Sequence, residues 1–495
     1  MFLGIDLGTS GLKTLAIDSS GRALASSARS YDIAAHGPMV GEQNPDDWQK
    51  AAVFTIESII EKVGNEFKGI SFSGQTHGIV CLDHQKNLLR PAIIWTDGRG
   101  QEIIPEIENT LGEGVFSSIT KNRPFPGYGV VSLLWMKKYE PETVKKTAHV
   151  LAPKDYLRFL MTGEIGMDYS DASGICCLDM EKQSIASEML EKLELNPEIF
   201  PDTLGYSADL AGEICARFAE MTGLKKGTPV FFGGVDCCMQ SIANGITQPG
   251  EAMVNIGTSG QISTIMNQPS NDPHLRTTMF CHVIPEKWQL VGATLSAGLS
   301  LKWLRNNILL QHSYDDMNEM VKTVRPGSEG CRFLPFLNGE RTPHMDPHAK
   351  AVFWGMSTRH DKSHLIRSVM EGVCFSLREC LEILESLGVS PTRIVTAGGG
   401  AKSSIWMQIL ADVLGIDVYV NQNHEEACLG ACISAAVGTG LFKNYQDASE
   451  QVVSSQNVHY SPVAENHRLY HDIFEQYKQI YRSNAELFKV GSKMN

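Results

Sequence analysis

Three short glycine-rich turns, each directly after an apolar strand, are the parts of this sequence best suited to chemistry on phosphate: Gly8-Thr9-Ser10-Gly11, Gly257-Thr258-Ser259-Gly260 and Gly398-Gly399-Gly400. Glycines and small hydroxyl residues let successive backbone N–H groups turn toward one point, a concavity that fits phosphate oxygens. Asp6 ends the first strand, just before its turn. A carboxylate in an apolar strand is costly unless it is paired or holds a cation, so Asp6 is either a turn cap or a Mg²⁺-associated carboxylate beside phosphates. Asp236 follows Gly233-Gly234 and opens a helix. It is either that helix's N-cap or a base within reach of an alcohol that attacks a γ-phosphate. Gln75-Thr76-His77 lies between Gly74 and Gly78 at another strand end, and side chains of this kind hydrogen-bond sugar hydroxyls. Trp95, Asp97 and Arg99 set an aromatic face beside an acid and a base. That would suit a polyol, or equally a buried tryptophan beside a surface ion pair. The sequence has no G-x-x-x-x-G-K-[ST] and no G-x-G-x-x-G after a strand, so the P-loop and Rossmann modes are excluded.

The elements that must position these residues follow from pattern. Phe2–Leu7 and Leu12–Asp18 read as a hairpin around the first turn, with Ala23–Tyr31 as a third strand. Asn44–Val63 has helical periodicity, with Pro45, Asp46 and Asp47 in its first turn. Glu251–Ile256 and Gln261–Met266 repeat the hairpin around the same four letters. The shared context, strand–GTSG–strand near the start of each half, predicts duplication. Arg393–Ala397 is a strand leading through the third turn into a helix over Ile405–Leu414. Two α/β domains with a cleft between them are expected, residues 1–248 and 249–495. Helix-rich insertions over Leu111–Lys226 would interrupt the first, and the long terminal helix over His467–Phe488 is expected to pack back on it.

Composition sets the outer limits. At 495 residues, 42% hydrophobic and 20% charged, the chain is an ordinary globular protein of two or three domains. A net charge of −13 gives no general attraction to nucleic acid or anionic lipid, so neither is an expected partner. The twelve cysteines include neighbours such as Cys176–Cys177 and Cys237–Cys238 and lack metal-binding spacing, which points to reduced, buried thiols. With no apolar run of about 20 residues, a cytoplasmic protein is expected.

Several stretches together resemble the FGGY carbohydrate kinases. IDLGTSGLK at Ile5–Lys13 is similar to their first phosphate loop, and GGVD at Gly233–Asp236 resembles the loop with their catalytic aspartate. Ala351–Glu371 fits their second signature, while GERTPH at Gly339–His344 and GGGAKS at Gly398–Ser403 resemble further family loops. The resemblance runs nearly end to end. It implies two duplicated actin-like (ribonuclease H-like) ATPase domains around a nucleotide cleft. ATP·Mg²⁺ would have its phosphates near Gly8, Thr9, Ser10, Lys13, Gly257 and Thr258, its adenosine near Gly399, Gly400, Ala401 and Ser404, and its metal near Asp6. SGQTHG, WTDGR, PKDYLRFLMTGE and MDYSDASG are similar to the xylulose kinases of the family. This implies a sugar site at Gln75, Thr76, His77, Trp95, Asp97 and Cys237, with Asp236 as base and O5 of D-xylulose as acceptor. Thr76 stands where methionine is usual, Cys237 where asparagine is common, and Ser132 where the first signature has lysine. The first two departures leave the sugar open to another ketose, a polyol or an aldonate. An actin-like protein that uses ATP to change shape is the alternative of another class. The sequence leaves open whether the chain works as a homodimer.

Overall fold

The computed structural model describes residues 1–33, 37, 39–310, 312–421, 426–453 and 457–491. In the first half, strands β1 (Phe2–Leu7), β2 (Gly11–Ile17) and β3 (Ala23–Ser30) lead into helix α1 (Pro45–Val63) and strand β4 (Gly69–Gly74). Within the insertions lie helices α2 (Pro153–Thr162) and α3 (Tyr169–Gly174). Strands β5 (Leu210–Glu213), β6 (Pro229–Phe231) and β7 (Gly234–Val235) then end in helix α4 (Asp236–Ala243). The second half runs β8 (Glu251–Ile256), β9 (Gly260–Met266), β10 (Thr278–Cys281), β11 (Trp288–Thr294), α5 (Lys362–Ser386), β12 (Arg393–Ala397), α6 (Ser404–Leu414), β13 (Asp417–Asn421), α7 (Glu426–Gly438), β14 (Asn457–Tyr460) and α8 (Ala464–Gly491).

The two halves repeat one sheet plan. β1 pairs antiparallel with β2 and parallel with β4, and β4 pairs parallel with β6. β8 likewise pairs antiparallel with β9 and parallel with β12, and β12 pairs parallel with β13. Central strands covered on both faces must be apolar throughout. That is why Phe2–Leu7 and Glu251–Ile256 lack the alternation of a half-exposed strand and place their one carboxylate, Asp6 or Glu251, near an end. α1 starts where expected: the Asn44 side chain accepts the Asp46 N–H, and Trp48, Ala52, Ile56 and Ile59 form its buried stripe.

Two helices tie the halves together. α7, although late in the chain, lies against β1 and β4 of the first sheet and crosses α4. The crossing is close: a Cβ on Gly430 would lie 2.1 Å from the Met239 carbonyl oxygen, and one on Gly4 of β1 would lie 2.2 Å from that of Cys428. Only glycine fits at either place. The resulting apolar cluster joins Phe2, Leu15, Val235 and Met239 to Leu429, Cys432 and Ile433. The last helix differs from expectation. α8 packs on the second half, where Tyr470 shares the buried Glu371 and Arg367 of α5, and Lys478 pairs with Glu382. Its apolar stripe, Tyr470, Ile473, Phe474, Tyr477 and Ile480, belongs to the core of that half.

Candidate functional site

Two large cavities meet at one loop, the first between the halves and the second within the second half. One, of about 670 Å³, is lined by Asp6 and Lys13 from the first half and Asn255, Gly398 and Gly399 from the second. The other, of about 690 Å³, is lined by Gly257, Thr258, Gly400, Ser403 and Trp406. Gly399 and Lys402 line both. Two of the three turns, Gly257–Thr258 and Gly398–Gly400, therefore line these adjoining cavities, whereas of the first hairpin only Asp6 and Lys13, on either side of the Gly8–Gly11 turn, do so. Gly8 closes its turn by donating to the Gly11 carbonyl at 3.0 Å, and Tyr31 donates to the Gly8 carbonyl at 2.5 Å. Thr258 and Ser10 are exposed. Ala401 lines the first cavity. Ser404 is exposed and lines neither, because it is the first helical residue. Its neighbour Ser403 is the N-cap, accepts the Trp406 N–H and faces the cavity in its place. Gly398 needs its φ of +83°, and a Cβ there would strike the Ile256 carbonyl at 2.8 Å.

A third, smaller cavity of about 120 Å³ lies between the halves, lined by His77, Trp95 and Tyr128 on one side and Thr278, Ala293 and Arg341 on the other. The sequence places sugar residues only in the first half, whereas the second half supplies more than half of this wall. His77 sits at φ +71° with its Nδ1 2.5 Å from the Gly174 carbonyl and its ring 4.3 Å from that of Tyr128. A carbonyl can only accept, so Nδ1 carries the proton and Nε2 is an acceptor. Burial pushes the His77 pKa down to about 4, and Arg341 nearby adds to this, so the imidazole is neutral. Thr76 Oγ1 and Gln75 Oε1 are buried without a hydrogen-bond partner among the described residues. Trp95 lines the cavity while its indole N–H donates to Thr9 Oγ1 at 2.9 Å. Asp97 does not line it: at 4% exposure, its oxygens accept from the Gly41 N–H and from Arg99. Cys237 is 7% exposed inside α4.

Asp236 is the first residue of α4 and is half-buried. The turn before it depends on Gly233, whose φ is +73° and whose Cβ would meet the Phe72 carbonyl oxygen at 2.2 Å. Burial, followed by the charge of Asp6, raises the Asp236 carboxyl to about 7, against the pull of the Cys237 N–H at 2.6 Å. Ser73 of β4 lies opposite Asp6 of β1 and opposite Gly234 of β7, which brings Asp6 and the turn before Asp236 to the same end of the first sheet. Asp6 also accepts from Ser73 Oγ at 2.8 Å.

A buried ionic knot stands behind the Asp236 turn. Lys154 Nζ is 2.8 Å from Asp155, 2.7 Å from Asp168 and 3.0 Å from Asp171, all four fully or almost fully buried. Burial pulls the Lys154 pKa down, but the three carboxylates outweigh it and raise it. Lys154 also reaches the Phe232 carbonyl at 3.3 Å, and the Ser170 hydroxyl, held by Asp168, accepts the Val235 N–H at 2.9 Å. Both ends of the Gly233-Gly234 turn are therefore pinned. The three aspartates are close enough to bind a metal, but an ammonium already lies among them.

Sequence reasoning missed Arg341, Tyr128 and Gln43. Arg341 belongs to the Gly339–His344 stretch, to which it gave no role; its guanidinium lies 4.9 Å from the Phe125 ring centroid, bridging the halves. Glu340 holds this stretch by accepting the Leu295 and Arg341 N–H groups at 2.8 and 2.7 Å. Ser132 is 3% exposed on the helix Gly129–Tyr139, so a lysine there would need a buried partner or a route to solvent.

Comparison with known proteins agrees with this architecture. Residues 1–243 match the N-terminal domain of the FGGY family of carbohydrate kinases and residues 252–439 its C-terminal domain. A xylulose kinase from Bacillus subtilis (strain 168) is 35% identical over 491 residues, 98% of this chain and 97% of that protein. One from Lactococcus lactis is 34% identical over 489 residues, 98% of this chain and 97% of that one. The crystal structure of a xyloylose kinase from Brucella ovis superposes with a TM-score of 0.91 at 30% identity, covering 98% of this chain and 99% of that one. With both family domains matched in order and the duplicated sheets around a shared cleft, the chain belongs to the FGGY family of carbohydrate kinases and is a sugar kinase of the actin-like ATPase fold.

Proposed function

We propose that this kinase transfers the γ-phosphoryl group of ATP to O5 of D-xylulose, with Asp236 as general base. The observation that carries the reading is the Asp6–Asp236 pair. A carboxyl poised at about 7 at the start of a helix, beside a second carboxylate that lines the nucleotide cavity, suits proton removal near neutral pH. The substrate follows from the xylulose kinases to which the chain is similar nearly end to end.

In this reading the sugar occupies the small interdomain cavity. Neutral His77, its Nδ1 proton committed to the Gly174 carbonyl, accepts a sugar hydroxyl at Nε2. Thr76, with an unpartnered hydroxyl, and Gln75 stand beside it. Asp236 takes the proton of the attacking hydroxyl as the bond to phosphorus forms, and ADP leaves. The backbone of Gly8–Gly11 and Gly257–Thr258, with Lys13, cradles the phosphates. The donor set fits Mg²⁺: Asp6, which lines the first cavity, offers a hard oxygen ligand that would hold it. When bound, Mg²⁺ would neutralise phosphate charge there.

A second reading has one observation in its favour. Among the described residues, no carboxylate lies within ion-pair distance of the Arg341 guanidinium, which would suit an acidic sugar such as an aldonate. A coupled assay of ADP release over ketoses, polyols and aldonates separates the readings. D-xylulose should give the highest kcat/KM. A preferred aldonate would favour the second reading, and ADP release indifferent to every sugar would favour a nucleotide-driven binding protein.

A further inference from the structure

Gln43 belongs to none of the motifs above, yet it is 1% exposed and sits between the sugar and phosphate loops. Its short strand pairs with the one leading to Trp95, Glu42 opposite Ile93 and Gln43 opposite Ala92. The Gln43 carboxamide has three partners. Trp48 Nε1 is 3.2 Å from its Oε1, Gln75 Nε2 is 2.7 Å from the same oxygen, and its Nε2 is 2.6 Å from the Thr9 carbonyl. The orientation is dictated chemically. An indole N–H can only donate and a peptide carbonyl can only accept, so Gln43 must turn its oxygen to Trp48 and its amide to Thr9. Gln75 must then offer its own amide, which leaves Gln75 Oε1 without a donor among the described residues.

Thr9 lies in the middle of the first phosphate turn and is gripped twice from the sugar side. Trp95, a wall of the sugar cavity, holds its hydroxyl, and Gln75 holds its carbonyl through Gln43. We propose that Gln43 is a positioning residue that couples the sugar cavity to the phosphate loop, so that sugar binding sets the backbone of Thr9 for the nucleotide. This rests on the sugar-kinase reading above. The coupling is thermodynamic and therefore reciprocal: the sugar must tighten the nucleotide as much as the nucleotide tightens the sugar.

The test is the Kd of adenylyl imidodiphosphate with Mg²⁺, measured by calorimetry with and without saturating D-xylulose, or whichever sugar the assay above selects. The wild-type protein should bind the analogue about fivefold or more tightly with sugar present. In Gln43→Leu that ratio should fall to within about twofold of one, while the Kd without sugar changes by less than about threefold, because Gln43 lines neither of the two large cavities. A merely structural role would weaken binding in both conditions and leave the ratio intact. Trp95→Phe keeps an aromatic face on the cavity but loses the indole N–H to Thr9 along with part of the wall; measured at sugar saturating for that variant, it should lower the ratio too, so the test survives if Gln43→Leu does not fold. A wild-type ratio in both variants, or a ratio of one in the wild type, overturns the relay while leaving the kinase reading standing. A wild-type protein that binds no sugar overturns both.

Discussion

At the residue scale, the proposed mechanism turns on a carboxyl whose pKa is raised. The base must be ionised, and burial and Asp6 push Asp236 up to about 7. Below that pH the carboxyl is protonated and cannot accept, so kcat/KM for the sugar should fall about tenfold per pH unit on the acid side and level off above. Replacing Asp6 by Asn removes the like charge. The acid limb should then move to lower pH, even though the rate also drops; a limb that stays in place would mean that Asp6 does not govern Asp236. Two adjacent glycines make a second residue-scale test. A Cβ on Gly399 meets nothing among the described residues within 4 Å, whereas one on Gly400 would lie 2.4 Å from Ile256 Cγ2 and 2.7 Å from its Cβ. Gly399→Ala should keep its Tm and weaken nucleotide binding, because it projects only into the cleft. Gly400→Ala should lower the Tm by several degrees, since overpacking typically costs about 1–3 kcal/mol. Equal nucleotide Kd values for Gly399→Ala and wild type would remove the adenosine assignment. The sequence made the glycine loops and Asp236 legible, because a strand end followed by glycine is a local signal. Arg341, Tyr128 and Gln43 were not, because a role that consists of meeting another loop has no local pattern. Asp97 and Ser404 had the right residue types, but the ion pair with Arg99 and the helix register turned them to other work.

At the element scale, the critical contact is the crossing of α4 and α7. α4 begins with Asp236, and α7 reaches the nucleotide cavity with Ala427 and Cys428. Gly430 lets the two backbones touch. A methyl group there would meet a main-chain carbonyl, which no rotamer change relieves. Gly430→Ala should therefore lower both Tm and turnover, whereas Gly440→Ala, with nothing within 4 Å but a φ of +78°, should cost only the strain of that turn. Parallel thermal melts and kinetics would show it, and a Gly430→Ala protein with wild-type melting and turnover would contradict the close crossing. Strands and helices were readable here wherever periodicity and caps agreed, as in Phe2–Leu7, Pro45–Val63 and Arg393–Ala397. The placement of α7 and α8 was not, because an apolar helix stripe says that a partner exists but not which sheet or helix supplies it.

At the scale of the whole molecule, the duplication was legible because two identical hairpin turns survive in matching contexts, and the repeated sheet order follows from them. The small cavity between the halves, the proposed sugar site, was not, since nothing in either half's sequence specifies the facing wall. A site built from both halves should close when filled, excluding water from the γ-phosphate. Small-angle scattering should show a smaller radius of gyration with the sugar and an ATP analogue together than with neither, and an unchanged radius would indicate a rigid cleft. The most direct test of phosphoryl transfer through Asp236 is the turnover of Asp236→Asn with ATP and D-xylulose, measured beside the Kd of each ligand. Asparagine is nearly isosteric but cannot take the proton, so turnover should drop by about 10²–10⁴-fold with both Kd values nearly unchanged. Near-normal turnover in that variant would mean that the base lies elsewhere and that Asp236 only begins a helix.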